Sequence, residues 1–130
     1  MKEIKVIIAG NRKYYDEDFI FEKMDYLLKN IKNKNDIVIV SGTASGADKI
    51  GEKYAFERNY KVLRFFPDWD QYGKAAGMTR NEEMAKVADF CVIFFRDNIS
   101  KGSEGMRKLC EKYNIPYRSY INRKIYKYKK

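Results

Sequence analysis

The sequence predicts a single α/β domain built on a mostly parallel sheet of about five strands, with helices on both faces. Three observations favour this fold class. Short apolar, often β-branched runs alternate with segments whose apolar residues recur at helical spacing. A chain of 130 residues is long enough to bury one core. No internal repeat or interdomain linker is recognisable. Because alternating strands and helices form parallel sheets through right-handed crossovers, we expect one doubly wound domain over residues 1–121 and a basic tail over residues 122–130.

The first half of the chain alternates three predicted strands with two predicted helices. Apolar runs at residues 4–9, 36–40 and 61–66 predict the strands. Residues 16–32 and 45–59 predict the helices that connect them. The apolar residues on one side of these helices are Ile20, Met24, Leu27, Leu28 and Ile31, followed by Ala47, Ile50, Tyr54 and Ala55.

The second half begins with a long, polar, glycine-bearing connection at residues 67–78. A helix is expected over residues 79–88, and the unbroken apolar run at residues 90–95 is typical of an interior strand covered on both faces. A loop at residues 96–105 then precedes a helix, and residues 116–121 form a fifth strand, expected at the edge. The apolar positions of the two helices are Met84, Val87 and Ala88, followed by Met106, Leu109, Cys110 and Tyr113.

Two capping boxes predict where helices begin. In a capping box, a Ser or Thr side chain accepts a hydrogen bond from the backbone N–H three residues later, and the acidic side chain at that position accepts one from the backbone N–H of the Ser or Thr. Ser45 with Asp48 and Thr79 with Glu82 have this spacing. They predict helix starts at residues 45 and 79.

Composition excludes several kinds of catalytic site. Histidine is absent, which removes His-ligated zinc, a Ser-His-Asp triad and a Cys-His dyad. We therefore expect neither a metal nor a cofactor. Cys91 and Cys110 fall within apolar patterns and are interpreted as buried, reduced thiols of a cytoplasmic protein. No apolar run approaches the roughly 20 residues that a membrane-spanning helix needs, so no membrane partner is expected.

The formal net charge of +9 is concentrated at the end of the chain. Five cationic side chains lie in the last nine residues, NRKIYKYKK, and removing them leaves +4. A basic tail interleaved with aromatic residues suits contact with nucleic acid. The alternative is a solubilising terminus. Net charge alone therefore defines no binding site.

Polar residues are concentrated where the predicted strands end. In doubly wound sheets, ligands bind beyond the carboxyl ends of the strands, at the point where the winding direction reverses. Four polar segments follow strand ends here, at residues 10–12, 41–48, 68–80 and 96–103. We therefore expect the binding site to be assembled from these segments.

The stretch VSGTASGAD at residues 40–48 has the composition of a phosphate-binding turn, although it matches neither a P-loop nor a G-x-G-x-x-G fingerprint. Its glycines allow the backbone to approach a ligand, and the following helix offers N–H donors and the positive end of its dipole. The alternative is a tight strand-to-helix turn capped by a serine. The candidate ligand-binding residues are Ser41, Gly42, Thr43, Ser45, Gly46 and Asp48.

The segments after the first and third strands add cations and aromatic rings. Arg12 follows Gly10 and Asn11 and can pair with a phosphate in bidentate fashion, unless it is simply a solvated surface residue. Trp69 or Tyr72 can stack on a base or ribose, although Trp69 also suits a role covering the end of the sheet. The candidate residues of these segments are Gly10, Asn11, Arg12, Trp69, Tyr72 and Lys74.

Two further pairs complete the predicted site. Arg80 and Asn81 are expected in the first turn of a helix, where a cation opposes the helix dipole, so helix stability does not account for Arg80 and a ligand role is indicated. Gly102 and Ser103 form a second glycine-and-hydroxyl turn before a helix. Two such turns on adjacent strand ends suit a ligand with more than one anionic or polar end, such as a nucleotide or nucleotide sugar.

The ordered motifs between residues 4 and 121 resemble a known family. IIAGNR, VSGTASGAD, FPDWDQYGKAAG, RNEEMA and KGSEGM occur in this order. The set strongly resembles the SLOG superfamily and, more narrowly, its small YspA-like members, which phages and bacteria often encode. The resemblance implies a Rossmann-like domain of a signalling or defence kind that binds a nucleotide or nucleotide-derived ligand. Because SLOG relatives often self-associate, it also implies a homo-oligomer.

The resemblance extends to the Lonely Guy phosphoribohydrolases of the same superfamily, but without their catalytic carboxylate. Counting along their G-G-x-G-T-x-x-E motif from Gly102 and Ser103, the glutamate falls on Met106, which we interpret as core. The binding turns are present and the glutamate is absent, so the sequence favours binding over hydrolysis. The other correspondences place Gly42, Thr43, Gly46, Ala47 and Asp48 on the first glycine motif, and Arg80 and Met84 on R-x-x-x-M.

Three functions follow from the sequence. The first is binding of a nucleotide or nucleotide-derived small molecule, without turnover. The second is an N-glycosidase or phosphoribohydrolase in which Asp48, Asp70 or Glu104 supplies the carboxylate and Arg80 the opposing charge. The third is nucleic-acid binding through the basic tail, as the resemblance to the DNA-processing protein A family of the same superfamily suggests.

Overall fold

A wholly parallel, five-stranded sheet forms the centre of the protein. The structure, a computed structural model, describes residues 2–96 and 101–121. The strands lie in the spatial order β3-β2-β1-β4-β5, and every neighbouring pair is parallel. This Rossmann-like arrangement confirms the predicted α/β class. The strands are β1 (Ile4–Gly10), β2 (Ile37–Ser41), β3 (Lys61–Arg64), β4 (Phe90–Phe95) and β5 (Tyr117–Ile121).

The described residues form five α-helices. Short 3₁₀ turns at Lys34–Asp36 and Gly73–Ala75 precede β2 and α4. Within the described ranges, no helix has the length and apolar character needed to cross a membrane. The helices are α1 (Glu17–Leu28), α2 (Ala47–Arg58), α3 (Trp69–Tyr72), α4 (Ala76–Val87) and α5 (Lys101–Lys112).

The two faces of the sheet carry separate apolar cores because successive side chains of a strand point to opposite faces. In β1, Val6 and Ile8 pack with the buried residues of α1 and α2. Ile7 and Ala9 alternate with them and pack with residues of α4 and α5. Burial on both faces explains why the interior strands read as unbroken apolar runs rather than alternating patterns.

The predicted helical faces are buried as expected in most positions. Ile20 and Met24 of α1 are fully buried, and Met106 and Cys110 of α5 lie in the second core. Met106 is therefore a core residue, as predicted, and both cysteines are free and buried. Val87 is an exception: it ends α4 and is largely exposed.

The winding direction of the sheet reverses at β1. The chain runs outward from β1 to β2 and β3, and then returns to place β4 on the other side of β1. The crevice at the carboxyl ends of β1 and β4 is therefore the topological switch point, where ligands bind in sheets of this kind.

Both predicted capping boxes are wrong. The N-cap of α2 is Gly46, which makes no side-chain cap, and α2 begins two residues after Ser45. Helix α4 begins at Ala76, so Thr79 lies inside the helix. Arg80 is therefore beyond the first turn, and the dipole argument used for it does not apply.

The connection predicted as a loop at residues 67–78 is largely helical. Asp68 caps α3 by accepting a hydrogen bond from the backbone N–H of Gln71 at 3.1 Å. A 3₁₀ turn then leads directly into α4. The loop predicted at residues 96–105 is likewise shorter than expected, because α5 begins at Lys101. The predicted tail, residues 122–130, lies outside the described residues.

Candidate ligand-binding site

A cleft of about 490 Å³ opens at the carboxyl ends of β1 and β4. Its volume falls within the range of small-molecule sites. It collects residues from the end of β1, from the turns after β1, β2 and β4, and from helices α2, α4 and α5, so that its lining spans positions 9–106 of the sequence. The lining residues predicted from the sequence are Gly10, Asn11, Arg12, Asp48, Arg80, Asn81 and Ser103; the others are Ala9, Lys13, Ala44, Met84, Arg96 and Met106.

Asn11 ties the ends of the strands together at the switch point. Its backbone N–H donates to the carbonyl of Phe94 at 3.1 Å, and its side-chain Oδ1 accepts from the backbone N–H of Arg96 at 3.0 Å. Its own carbonyl accepts from the N–H of Ala47 at 3.1 Å. Asn11 therefore joins β1, β4 and the start of α2, and it fixes the turn that presents Arg12.

The glycine turn after β2 packs directly on the turn after β1. Gly46 has φ of +77°, and a Cβ placed there would lie 2.2 Å from the carbonyl oxygen of Asn11 and 2.4 Å from that of Arg12. Ser45 Oγ donates to the same Arg12 carbonyl at 3.2 Å. Gly46 and Ser45 therefore position the cleft wall, and the turn is a structural joint as well as part of the site.

Thr43 holds a strained backbone conformation beside the cleft. Its φ of +65° lies in the left-handed region, which β-branched residues rarely adopt. Two hydrogen bonds offset the cost of this conformation: the N–H of Thr43 donates to Ser41 Oγ at 3.0 Å, and its Oγ1 donates to the carbonyl of Gly42 at 2.6 Å. Strain of this kind persists where the surroundings impose it and is concentrated at functional sites.

Arg80 is a buried cation on the wall of the cleft. Only 7% of the residue is exposed. Its Nη1 donates to the carbonyl of Gly42, and its Nε donates to Asn81 Oδ1 at 2.8 Å. Among the described residues, no carboxylate oxygen lies within 4.0 Å of its guanidinium nitrogens. Burial lowers the pKa of Arg80, and the positive charge of Arg12 acts in the same direction, whereas the negative charge of Asp48 acts in the opposite direction.

Gly42 is the residue that lets Arg80 and Asp48 approach the same point. A Cβ at Gly42 would lie 2.8 Å from Asp48 Oδ2 and 3.1 Å from Arg80 Nε. Any side chain there would displace one of these two charged groups. The glycine predicted to admit a ligand therefore admits the protein's own charged side chains.

Asp48 is the carboxylate of this cleft, and it is 7% exposed. Its Oδ2 accepts a hydrogen bond from the backbone N–H of Ala44 at 3.1 Å. Burial raises the pKa of Asp48 to about 6, although the Ala44 bond and the positive charge of Arg80 act in the opposite direction. Near neutral pH, Asp48 therefore changes protonation state more readily than an ordinary aspartate.

We expect Asp48→Asn to stabilise the protein at pH 7 and to have no such effect at pH 4. Because the folded-state pKa of about 6 exceeds the unfolded value of 3.8, the favourable contribution of Asp48 is complete below about pH 4 and is lost as the pH rises through 6. The difference corresponds to a gain on the order of 2–3 kcal/mol for the uncharged variant at pH 7. Urea unfolding of both proteins between pH 4 and pH 8 measures it. A difference that does not change with pH would contradict the assignment.

A second cleft, of about 440 Å³, adjoins the first. It shares Arg12, Ala44 and Arg80 with the first cleft and adds aromatic and apolar side chains on its other side. Trp69 is 54% exposed there and Phe66 is 69% exposed. The remaining residues of its lining are Thr43, Ser45 and Pro67.

Five predicted site residues are missing from the described lining of both clefts: Ser41, Gly42, Gly46, Tyr72 and Lys74. Ser41 is buried, and its hydroxyl donates to Glu52 Oε2 at 2.6 Å, so it supports the turn from below. Tyr72 lies in a smaller groove beyond Phe66, and Lys74 lines none of these cavities. Gly102 lies in the first turn of α5, beside Ser103, which is buried in the first cleft.

Lys13 and Arg96 line the first cleft, although neither was among the candidate residues named from the sequence. Lys13 directly follows the candidate Arg12, and Arg96 is the first residue of the polar segment 96–103 that was expected to contribute to the site. Their position just after a strand end is the signal that identifies both. The cations in the described lining of the first cleft are therefore Arg12, Lys13, Arg80 and Arg96, without the predicted Lys74.

Of the three carboxylates proposed for catalysis, Asp48 alone lines the described part of the cleft. Glu104 is paired with Arg107 one helical turn later on α5, and Asp70 lies on α3. In residues 2–96 and 101–121, no three acidic or cysteine side chains gather in a way that would hold a metal ion.

Comparison with known proteins agrees with this fold and these motifs. Gene 61 protein of Mycobacterium phage D29 is 31% identical, in an alignment that covers 69% of this chain and 75% of the phage protein. DNA processing protein A from Streptococcus pneumoniae has a similar structure, with a TM-score of 0.52 at 15% identity over 89% of this chain. The chain spans 58% of that protein's length, and the likeness concerns the fold. The family described as YspA, cpYpsA-related SLOG matches residues 4–72, and the chain belongs to this family.

Proposed function

We propose that the protein binds an anionic nucleotide or nucleotide-derived ligand in the cleft between the ends of β1 and β4. The observation that carries this proposal is Arg80, a buried guanidinium that has Asp48 nearby but, among the described residues, no carboxylate oxygen within 4.0 Å. A buried charge is costly unless a partner compensates it. A phosphate group would supply that partner, and a guanidinium presents five N–H donors, of which the bonds to Gly42 and Asn81 use two.

The charge of the first cleft supports the same ligand class. Arg12, Lys13 and Arg96 join Arg80 in its lining, and Asp48 is the one carboxylate among the described lining residues. With a pKa of about 6, Asp48 can take up a proton as a phosphate approaches, which removes the repulsion between two anions. Membership of the SLOG family, whose resemblance to this sequence implied nucleotide-derived ligands, supports the proposal further.

A thermal-shift panel of nucleotides tests this function. At 100-fold excess over Kd, a ligand that binds only the folded state should add about 2.7 kcal/mol of stability. We expect Arg12→Ala to weaken binding about tenfold because it removes one charged contact with phosphate. Arg118→Ala is the control, since Arg118 is an exposed cation on the edge strand β5. Equal losses in the two variants, or no stabilisation by any nucleotide or nucleotide sugar, would contradict the proposal.

A second candidate, hydrolysis of an N-glycosidic bond, is favoured by Asp48. A buried carboxyl with a pKa near 6 is suited to donating a proton to a leaving base or accepting one from water. Met106 occupies the position of the phosphoribohydrolase glutamate and lies in the core. Incubation with nucleoside monophosphates, followed by chromatography for free base, tests this candidate. Base release that Asp48→Asn abolishes would support it, and no release under conditions of measured binding would exclude it.

A further inference from the structure

We propose that the ligand spans both clefts, with an aromatic base on Trp69 in the second cleft and its phosphates on Arg12 and Arg80 where the clefts meet. The inference rests on the proposed function and identifies the ligand class more closely. It predicts a nucleoside diphosphate that carries a further polar group, as a nucleotide sugar does. A ligand that was only a phosphate ester would need the first cleft alone.

The junction of the clefts is their cationic part. Arg12 and Arg80 line both cavities, as does Ala44. A group bound at this junction meets one exposed and one buried guanidinium, each able to bind phosphate oxygens in pairs. A diphosphate placed there would have one end directed into each cleft. The shared residues therefore fix the middle of the ligand.

The second cleft has the chemistry of a base-binding surface. Trp69 and Phe66 leave more than half of their surfaces exposed, beside Pro67 and Arg12. Large aromatic side chains that stay exposed contribute little to the core, but they offer flat apolar faces to a planar ring. Stacking on such faces accepts any base, because every base has a π-face. The cations beside them match the charge of the phosphates attached to that base.

The first cleft accommodates the group at the other end of the diphosphate. Beyond the junction it presents Asp48, Asn81 and Ser103 along with the cations Lys13 and Arg96. A carboxylate, an amide and a hydroxyl together offer acceptors and donors of the kind that bind sugar hydroxyls. Aromatic side chains are missing from the described lining of this cleft. A sugar or similar polyhydroxyl group therefore suits it better than a second base.

Tryptophan fluorescence reports directly on the second cleft, because Trp69 is the one tryptophan of the chain. We expect ADP-ribose, UDP-glucose or GDP-mannose to quench its fluorescence on binding, whereas ribose 5-phosphate and pyrophosphate bind without quenching. Trp69→Ala should weaken binding of the nucleotide sugar about 5- to 150-fold, the range for loss of one stacked base, and leave pyrophosphate affinity unchanged. Trp69→Phe should restore most of the loss. Phe56→Ala is the control, since Phe56 is a highly exposed aromatic residue on α2, outside both clefts.

The outcomes separate this inference from the proposed function. If calorimetry detects no binding of any of these phosphate compounds, both fail. If pyrophosphate or ribose 5-phosphate binds as tightly as the nucleotide sugars, or if Trp69→Ala and Phe56→Ala behave alike, the two-cleft arrangement fails while anion binding stands. Tighter binding and stronger quenching by an eight-nucleotide single strand would show instead that the aromatic surface belongs to a nucleic-acid site.

Discussion

Arg80→Met should abolish nucleotide binding while leaving the free protein at least as stable as the original. The substitution replaces a buried guanidinium, which has no carboxylate oxygen of the described residues within 4.0 Å, by an apolar side chain of similar length. Removing charged hydrogen bonds to a phosphate costs about 1.5–3 kcal/mol each, so two such bonds correspond to a loss of affinity of 100-fold or more. Burying a cation costs free energy that only well-placed partners recover, so its removal should not destabilise the fold under conditions in which Asp48 is protonated.

The surroundings of Arg80 are suited to this exchange. The carbonyl of Gly42, which accepts from Arg80, keeps a second donor in Thr43 Oγ1 at 2.6 Å. No buried acceptor is therefore orphaned at Gly42. Asp48 does lose a nearby positive charge, so unfolding is best compared at pH 5, where a carboxyl with a pKa of about 6 is mostly protonated.

Calorimetric titration and urea unfolding of Arg80→Met, beside the original protein, measure the two effects separately. Arg58→Met is the control: Arg58 forms a surface ion pair with Asp25 on the outside of α1 and α2, so its loss should leave binding intact. A variant that unfolds more easily by several kcal/mol would show that Arg80 is a structural residue. Retained binding would show that the cleft does not use it.

Gly46→Ala should be among the most damaging single substitutions in the protein, with a loss of about 4 kcal/mol or more. Gly46 combines φ of +77° with ψ of −127°, a region that is open essentially to glycine. The new Cβ would also lie 2.2 Å from the carbonyl oxygen of Asn11. That oxygen accepts from the N–H groups of Tyr14 and Ala47, so it cannot move without breaking the joint between β1 and α2.

Gly73→Ala separates the effect of backbone strain from the effect of the steric clash. Gly73 has nearly the same backbone conformation, with φ of +54° and ψ of −130°, but no atom lies within 4 Å of a Cβ built there. Its substitution should cost only the conformational strain, about 1–3 kcal/mol. Urea denaturation of both variants gives the difference. Losses that agree within 1 kcal/mol would mean that close packing of the two turns does not hold the site together.

The sheet was predictable from the sequence because the apolar composition of its interior strands indicates that they are buried. The runs at residues 37–40 and 90–95 are apolar throughout, which fits strands covered on both faces. The start of α4 was not predictable in the same way. No side chain caps the start of this helix at Ala75. The helix begins there because the preceding 3₁₀ turn already has a helical backbone conformation.

The site was predictable at the level of segments, and less so at the level of side chains. The rule that ligands bind at the carboxyl ends of strands predicted that Arg12, Asp48, Arg80 and Ser103 lie close together, and they line one cleft. Which way a side chain turns depends on partners elsewhere in the fold. The Ser41 side chain faces away from the cleft because its hydroxyl donates a hydrogen bond to Glu52 Oε2, in the following helix, at 2.6 Å. No local sequence pattern predicts such a contact.

A crystal structure of the protein with the most stabilising compound of the nucleotide panel tests the central claim most directly. We predict that a phosphate of the ligand lies within hydrogen-bond distance of the Arg80 guanidinium, in the cleft between the ends of β1 and β4. A ligand bound elsewhere on the protein, or one in this cleft with no anionic group near Arg80, would contradict it.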